Sequence, residues 1–286
     1  MWSALLDALF GAVLGSVFLL ALAILIERIA PLEQISMRQR IPGILMNVVG
    51  TAGGIVLVWP LSVLFRSSEV APWMTIPVWS WLEPLGMGGF ALQFVILLVV
   101  ADFLAYWRHR AEHTKWLWPV HAVHHSPTEL HAANSLGHPG QALFSYAFIV
   151  VPLSLIQFSG PAVPLGVALF VAFLAIYIHS PVDLHFGPLR RVIVDNRFHR
   201  IHHSLEPRHF DKNFGICFSF WDHLFGTAYQ PGEEWPAVGL RDVRAPRTLR
   251  DFILLPLPFY RSLLDREKIA ELSALGVHQE DRPQRG

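Results

Sequence analysis

The sequence predicts an all-α, polytopic membrane protein with about four to five membrane helices, two of them forming a hairpin, and a cytoplasmic histidine-rich helical part. Long apolar segments, a low content of charged residues and a cluster of histidines support this fold class. Of the 286 residues, 53% are hydrophobic and 15% are charged, whereas a soluble domain carries about 25% charged residues. Much of the protein surface is therefore expected to face lipid.

The composition excludes several other classes of protein. The 22 basic and 22 acidic side chains cancel, so the chain lacks the basic excess of a nucleic-acid-binding domain, and no nucleic-acid partner is expected. The single cysteine, Cys217, cannot form an internal disulfide or hold an iron–sulfur cluster by itself. Histidine is the anomalous residue, because all 15 copies except His278 lie between His109 and His223.

Three apolar segments are each long enough to cross a bilayer, which takes roughly 20 residues: they cover 4–26, 42–65 and 86–107. The loop between the first two carries Arg28, Arg38 and Arg40. By the positive-inside rule this loop is expected in the cytoplasm, with the amino terminus outside. The third segment then ends on the cytoplasmic side, where the histidines begin.

A further apolar stretch runs from about Gln141 to Ile178, with Ser159-Gly160-Pro161 near its middle to break a helix. Such a hairpin of two helices returns the chain to the face on which it started. Histidines before residue 141 and after residue 178 can therefore share one site. After the hairpin, Arg247 to Leu264 alternates basic with apolar residues, as a segment lying in the membrane interface does.

The histidines occur in three groups, here called boxes: HRAEH at 109–113, HAVHH at 121–125 and HRIHH at 199–203. Residues at i, i+3 and i+4 share a helix face, so each box is expected to present two or three imidazoles in one direction. Neutral imidazole binds iron, zinc, copper and nickel. Eight imidazoles exceed the needs of one tetrahedral ion, so the sequence favours a nitrogen-rich site for two metal ions.

These boxes carry a family resemblance. The run DFLAYWRHRAEHTKWLWPVHAVHH at 102–125, followed by HRIHHS at 199–204 and by DKNFG and WDHLFGT within 211–227, resembles the fatty acid hydroxylase/sterol desaturase superfamily over about residues 90–230. The resemblance implies an oxidoreductase, a membrane-bound di-iron monooxygenase. Such an enzyme uses O2 as co-substrate and external electrons to hydroxylate or desaturate a lipid, for example a sterol or a fatty acyl chain.

The resemblance also implies a domain division and a ligand set. It divides the chain into N-terminal membrane helices with an interfacial loop at 1–89, a fatty acid hydroxylase-like catalytic domain at 90–230 and a cytoplasmic or interfacial tail at 231–286. The family's metal ligands, two non-haem iron ions being the expected cofactor, map onto nine histidines: His109, His113, His121, His124, His125, His179, His199, His202 and His203.

Other polar residues near the boxes are candidates for supporting roles. Asp102 lies seven residues before His109 on the same helical face, and we expect it to accept a hydrogen bond from a ligating histidine. The fatty acid 2-hydroxylase branch has a further histidine four residues after the one that matches His179. This chain has Asp183 there and His185 two residues later, so either is a candidate additional ligand. For three other carboxylates a surface pair or turn is an equally good interpretation: Glu112, Asp211 and Asp222.

The family resemblance also implies an electron donor and a lipid substrate as partners. The chain shows no Rossmann glycine fingerprint and no cysteine set, so electrons are expected from a reductase, ferredoxin or cytochrome. The lipid substrate is expected to enter from the bilayer along a groove lined by the hairpin and the third span. The predicted location is a bacterial inner membrane, with the histidine site facing the cytoplasm.

Two other functions remain open. HRAEH also fits the H-x-x-E-H pattern of inverted zinc metallopeptidases, with Glu112 as general base, although this interpretation gives HAVHH and HRIHH no task. A metal transporter or sensor with a cytoplasmic histidine cluster is the second alternative. Transport would favour polar residues near the middle of the spans, and the predicted spans contain few.

Overall fold

The computed structural model describes residues 2–67, 76–135, 137–154, 156–157, 162–241 and 243–274. Long helices dominate the first part of the chain and short helices most of the second. The first part contains, in order, α1 (Trp2–Ile29), α2 (Met37–Ser67), β1 (Ile76–Pro77), α3 (Val78–Leu82) and α4 (Gly86–Glu112). The second contains α5 (Trp118–His125), α6 (Gln141–Ser145), α7 (Val151–Leu153), β2 (Ile156–Gln157), α8 (Ala162–Tyr177), α9 (Asn196–His202), α10 (Phe220–Leu224), α11 (Leu249–Leu254) and α12 (Pro256–Ala274).

Three helices of the described chain are long and apolar enough to cross a membrane, and they confirm the three predicted segments. They cover Trp2–Ile29, Met37–Phe65 and Ser80–Glu112. Their outer faces are apolar: Phe10 and Phe18 of α1, for example, are 72% and 67% exposed. Because helices satisfy their own backbone hydrogen bonds, such surfaces are suited to lipid.

The stretch predicted as a hairpin contains two shorter apolar helical segments, Gln141–Leu153 and Ala162–Tyr177, each between 10 and 17 residues long. In the first, a π-helical turn at Tyr146–Val150 joins α6 to α7. Both fall short of the roughly 20 residues that a full crossing needs, so the expected four to five membrane helices comprise three long ones and this shorter pair. The expected break at Ser159-Gly160-Pro161 lies outside the described residues.

A shared apolar core joins the hairpin to the short helices. The second arm, α8, packs against α4 and α1. Val163, Val167 and Leu174 of α8 form one buried cluster with Leu97 of α4 and Phe198 of α9. This core packs the end of α8, and with it the residues that follow Tyr177, against α9.

A buried ion pair fastens the α1–α2 connection to the histidine-rich part. Arg40 pairs with Glu27, and both side chains are almost completely inaccessible to solvent. The second carboxylate oxygen of Glu27 accepts a hydrogen bond from the backbone N–H of Ala132, at 2.7 Å, in the 3₁₀ turn that follows α5. A charge buried this deeply is tolerated because it is paired and hydrogen-bonded, so the pair fixes the position of the turn.

The C-terminal helices lie across both parts of the molecule. A capping box between Thr248 and Asp251 begins α11, α11 packs on α2, and α12 packs on α5. Their exposed surface carries large apolar side chains: Leu249, Ile253, Leu254, Leu257 and Leu264. This composition matches the interfacial segment predicted for this region. Residues 275–286, including His278, lie outside the described chain.

Candidate metal centre

The nine predicted ligand histidines are presented by four neighbouring pieces of structure. His109 is in the last turn of α4 and His113 caps that helix. The HAVHH box occupies the last turns of α5. His179 follows the end of α8, and the HRIHH box runs through α9 to its cap. Eight of the nine are buried and His113 is partly exposed. Four elements therefore converge on one dry, nitrogen-rich interior.

The ring nitrogens form two groups, in each of which the candidate ligand atoms all lie within 4.8 Å of one another. The five-histidine group contains His109, His113, His121, His125 and His202. The four-histidine group contains His124, His179, His199 and His203. Imidazole nitrogens in this number and proximity can each hold a transition-metal ion.

The division cuts across the sequence boxes. His121 and His125 belong to the five-histidine group, whereas His124 between them belongs to the other. In α9, His199 and His203 belong to the four-histidine group and His202 does not. Successive residues of a helix are rotated by about 100°, so positions i and i+4 point together while i+3 diverges from i+4 by about the same angle. Each box therefore presents two imidazoles in one direction, as the spacing predicts for two or three, and the remaining histidine of HAVHH and of HRIHH belongs to the other group.

The two groups are in direct contact. The rings of His125 and His203, one from each group, stack with centroids 4.3 Å apart and planes inclined by 25°. His199 and His202 also lie nearly parallel, at 5.3 Å. Ions held by the two groups would therefore be neighbours in a single centre.

Hydrogen bonds on the outer edge of the rings fix which nitrogen faces inward. Three histidines donate Nδ1–H to backbone carbonyls: His109 to Phe214 (2.8 Å), His179 to Ala175 (2.6 Å) and His202 to Lys212 (2.7 Å). A carbonyl can only accept, so Nδ1 carries the proton and Nε2 keeps its lone pair. Metal-binding histidines are commonly oriented in this way.

The inward nitrogens lack the partners that buried polar atoms usually have. Nε2 of His113 and Nε2 of His202 are buried without a hydrogen-bond partner among the described residues. In the four-histidine group, Nε2 of His199 lies 3.2 Å from Nε2 of both His179 and His203. Burial lowers the pKa of His199 and His203 well below the ordinary value, so these imidazoles are neutral, the form that binds metal. The donor set therefore fits two metal ions.

Glu112 has a place that the sequence could not assign. Its carboxylate is completely buried, with Oε2 3.2 Å from Nδ1 of His121 and Oε1 3.6 Å from Nη1 of Arg108. Neither oxygen forms a hydrogen bond with a described residue, and the hydrogen-bond partner of His121 Nδ1 is Nε2 of Gln141, at 2.8 Å. Nε2 of His121 points to the opposite side, 3.0 Å from Nε2 of His125. Glu112 thus lies beside the outer edge of a candidate ligand and not in the space between the ligands, so its charge can support that histidine from outside the centre.

Asp102 has a different role from the one predicted. Its carboxylate accepts hydrogen bonds from the backbone N–H groups of Cys217 and Phe218, both at 2.9 Å, and from Nε1 of Trp221 at 3.1 Å. No histidine is among its hydrogen-bond partners in the described chain. Seven residues correspond to about 10 Å along a helix, which puts the His109 ring out of reach. Asp102 instead fastens the loop before α10 to α4.

The same loop is held from its other side by Asp222. This buried carboxylate accepts from the backbone N–H groups of Phe214 and Gly215, both at 2.8 Å. Because the carbonyl of Phe214 is the acceptor for His109, the loop carries the hydrogen bond that orients one candidate ligand. Asp102 and Asp222 therefore act on the centre through the position of this loop.

Removal of the Asp102 carboxylate should lower stability strongly. Asp102→Ala leaves three donors without their acceptor, and we expect a loss of about 3 kcal/mol, or a melting midpoint lower by about 5–10 °C. The measurement is thermal unfolding of the detergent-purified full chain, with exposed Asp183→Ala as the matched control. Equal midpoints for the two variants would contradict the structural role assigned to Asp102.

The two candidates after the hairpin lie outside both histidine groups. Asp183 and His185 are exposed. After His179 the chain turns toward the end of α1, where the backbone N–H of Asp183 donates to the carbonyl of Ala30 at 2.8 Å. Nδ2 of Asn196 donates to the carbonyls of Ser180 and Val182 and holds this turn. The direction of the turn explains why neither candidate reaches the centre.

A third cluster of potential ligands, Glu206, His209 and Glu234, lies apart from these groups. Arg208 already occupies it, donating to Oε2 of Glu206 and to Oε2 of Glu234, both at 2.7 Å. The guanidinium forms an ion pair with each of the two carboxylates. We therefore interpret this cluster as a salt-bridge network.

Long apolar helices combined with two adjoining groups of buried histidines define a membrane-type helical protein with a candidate two-metal centre. Comparison with known families agrees with this class: the model of the fatty acid hydroxylase family matches residues 94–227, a segment that includes all nine histidines. Residues 94–227 of the chain belong to the fatty acid hydroxylase family.

Similar proteins carry names that refer to lipids or their derivatives. An ornithine lipid hydroxylase of Rhizobium tropici is 36% identical over 143 residues, which cover 49% of this chain and 43% of that protein. An alkylglycerol monooxygenase of Danio rerio is 30% identical over 196 residues, 67% of this chain and 38% of that protein. A very-long-chain aldehyde decarbonylase of Oryza sativa subsp. indica is 32% identical over 148 residues, covering 47% and 52%.

The match to these relatives is partial. The aligned part covers 43% and 38% of the length of the first two relatives, so more than half of each has no counterpart in the alignment. No solved structure is significantly similar to the chain.

Proposed function

We propose that the protein is a membrane-bound, O2-dependent oxidoreductase that hydroxylates or desaturates a lipid, with two iron ions held by its nine clustered histidines. The observation that supports this proposal most directly is the pair of adjoining, buried histidine groups. Within each group the ligand atoms lie within 4.8 Å of one another. Membership of the fatty acid hydroxylase family and the names of the relatives support a lipid substrate. We propose residues 90–230 as the catalytic domain, between membrane helices at 1–89 and a tail at 231–286.

In this proposal the five-histidine group holds one ion and the four-histidine group the other. Two reduced iron ions, when bound, supply the means to activate O2 for attack on a C–H bond. Overall, one O2, two electrons and two protons convert a C–H group into C–OH and water. The chain positions the ions through fixed imidazoles, eight of which are buried. The electrons come from a partner reductase, ferredoxin or cytochrome.

Two cavities are candidates for the binding site of the lipid substrate. One, of about 450 Å³, is lined by apolar residues of α1, α4 and α8, where the sequence predicted a lipid groove, but none of the nine histidines lines it. The other, of about 660 Å³, is lined by His113, His125 and His202. We assign the reacting part of the substrate to the second cavity, because oxidation requires contact with the metal centre.

The structure disfavours the alternative functions. A zinc peptidase would need Glu112 within reach of a metal-bound water, but this carboxylate faces Nδ1 of His121 and Arg108. A transporter would need ligands near the middle of the spans, whereas His109 and His113 lie at the end of α4 and the other seven histidines lie outside the three long helices.

Oxygen incorporation tests the proposed function. Iron-loaded full chain is supplied with a ferredoxin–reductase pair, bacterial lipid extract and ¹⁸O2, and lipids are analysed by mass spectrometry. We expect a lipid that has gained one ¹⁸O atom, or lost two hydrogens in the case of desaturation. The product should be absent with His199→Ala and present with His185→Ala. If no lipid changes in an O2-dependent way, the proposal is wrong.

The proposed orientation, a bacterial inner membrane with the histidine centre in the cytoplasm, is tested by thiol labelling. Burial raises the pKa of the Cys217 thiol, so this cysteine should stay unreactive. Ser3→Cys and Arg261→Cys introduce exposed thiols near the amino terminus and on α12. In intact spheroplasts a membrane-impermeant maleimide should label position 3 only, and after lysis both. Labelling of position 261 before lysis would reverse the orientation.

A further inference from the structure

The cavity that reaches the five-histidine group has a buried inner end and a charged mouth. His125 and His202, at its inner end, are 3% and 5% exposed. Three basic side chains that also line it, Lys115, Arg241 and Arg266, are exposed. The cavity therefore leads from the candidate metal centre to a basic rim at the protein surface.

Two of these basic side chains have no counter-ion among the described residues. Nζ of Lys115 pairs with Glu267 at 2.8 Å. Asp211, the acidic residue that lines the cavity, faces Nδ1 of His113 at 3.1 Å. Arg241 and Arg266 form no ion pair with any residue in the described part of the chain. Within the described part of the chain the rim therefore carries two guanidinium groups without an ion pair, and a guanidinium matches the geometry of phosphate or carboxylate.

The wall between the rim and the histidines is mostly apolar. Trp118, Phe210, Leu240, Phe259 and Leu263 contribute to it. A fully charged, water-soluble ligand would gain nothing from these side chains, whereas the glycerol and first methylene groups of a lipid would be removed from water there. The cavity is thus amphipathic along its length, with its charged end at the surface.

The mouth also lies where lipid head groups are expected. Phe259, Leu263 and Arg266 belong to α12, which continues α11. Exposed apolar residues on these two helices, including Leu257 and Leu264, are typical of a segment that lies in the membrane interface. A lipid could therefore reach the mouth without its chains leaving the bilayer.

From these features we infer that the cavity binds the polar end of a lipid whose head group carries an anion, a phosphate or carboxylate, held by Arg241 and Arg266. This inference rests on the proposed function, because it names the substrate class of the same centre. It places the polar end of the lipid in the histidine-lined cavity and the rest of its apolar chains on the membrane side of α12.

Binding of short-chain lipids tests this inference. Isothermal titration calorimetry compares dioctanoyl phosphatidic acid with dioctanoylglycerol, which lacks the anion, on full chain in a neutral detergent. We expect Arg241→Gln/Arg266→Gln to weaken phosphatidic acid binding by about tenfold or more, because it removes charge-assisted hydrogen bonds. Binding of dioctanoylglycerol should change by less than about twofold, since no charged contact is lost.

The matched control is Arg247→Gln/Arg250→Gln, which removes two exposed arginines near the start of α11 that do not line the cavity. It should leave phosphatidic acid binding within about twofold of the wild type. Equal losses in both double variants would show attraction to the general basic surface and overturn the inference. Binding of inorganic phosphate as tight as that of phosphatidic acid would also overturn it, because a free anion would then suffice.

The same preparations are analysed for metal, which separates this inference from the proposed function. A wild-type chain without metal contradicts the oxygenase, whatever lipid it binds. A metal-loaded chain that does not discriminate phosphatidic acid from dioctanoylglycerol contradicts only the head-group inference.

Discussion

His124→Ala and His125→Ala should each lose about half of the bound metal, and each should lose a different ion. The two residues are adjacent in sequence, but His124 belongs to the four-histidine group and His125 to the five-histidine group. Lipid oxidation should fall by about a hundredfold or more in both variants, since a lost ligand is at least as costly as a lost supporting contact. Elemental analysis and lipid mass spectrometry measure the two effects.

His185→Ala is the matched control, because it removes an exposed imidazole outside both groups. It should keep the full metal content and activity. The ions that remain in the His124 and His125 variants should differ in their spectroscopic signature, because four imidazoles surround one and five the other. Unchanged metal content in either variant, or the same signature in both, would contradict the division into two groups.

The second large effect concerns Glu112. Glu112→Gln removes the negative charge beside Nδ1 of His121, so the imidazole loses the nearby charge that strengthens it as a ligand, whereas its hydrogen bond with Gln141 remains. We expect metal affinity to fall by about 10–100-fold, measured by competition with a chelator of known affinity. Oxidation at saturating metal should recover in part, because the nine imidazoles remain.

Asp183→Asn controls for the loss of a carboxylate, since Asp183 is exposed and outside the centre. It should not change metal affinity. The metallopeptidase alternative makes the opposite prediction for Glu112→Gln, because loss of a general base abolishes hydrolysis and leaves the metal ligands intact. Unchanged metal affinity in Glu112→Gln would therefore remove the supporting role that we assign to this residue.

The features that could be predicted from the sequence depend on local spacing. The three long helices follow from uninterrupted apolar segments. Convergence of the nine histidines follows from the box spacings, together with the family resemblance that added His179. In both cases the periodicity of a single helix, or a motif, contains the information.

The remaining features depend on contacts between distant segments. Asp102 is separated from its partners Cys217 and Phe218 by more than a hundred residues, so no spacing within α4 could indicate them. The exclusion of Asp183 and His185 depends on a turn that Ala30 and Asn196 hold. Likewise, helix periodicity gives the angle between His124 and His125, but only the packed structure shows that both directions are occupied by ligands.

The most direct test of the central claim is the metal content of wild-type full chain, purified in detergent after growth with added iron. Two adjoining imidazole groups predict about two iron ions per chain. His199→Ala, altered in the four-histidine group, should contain about one ion. A single zinc ion per chain, unchanged in this variant, or no bound metal at all, would contradict the account.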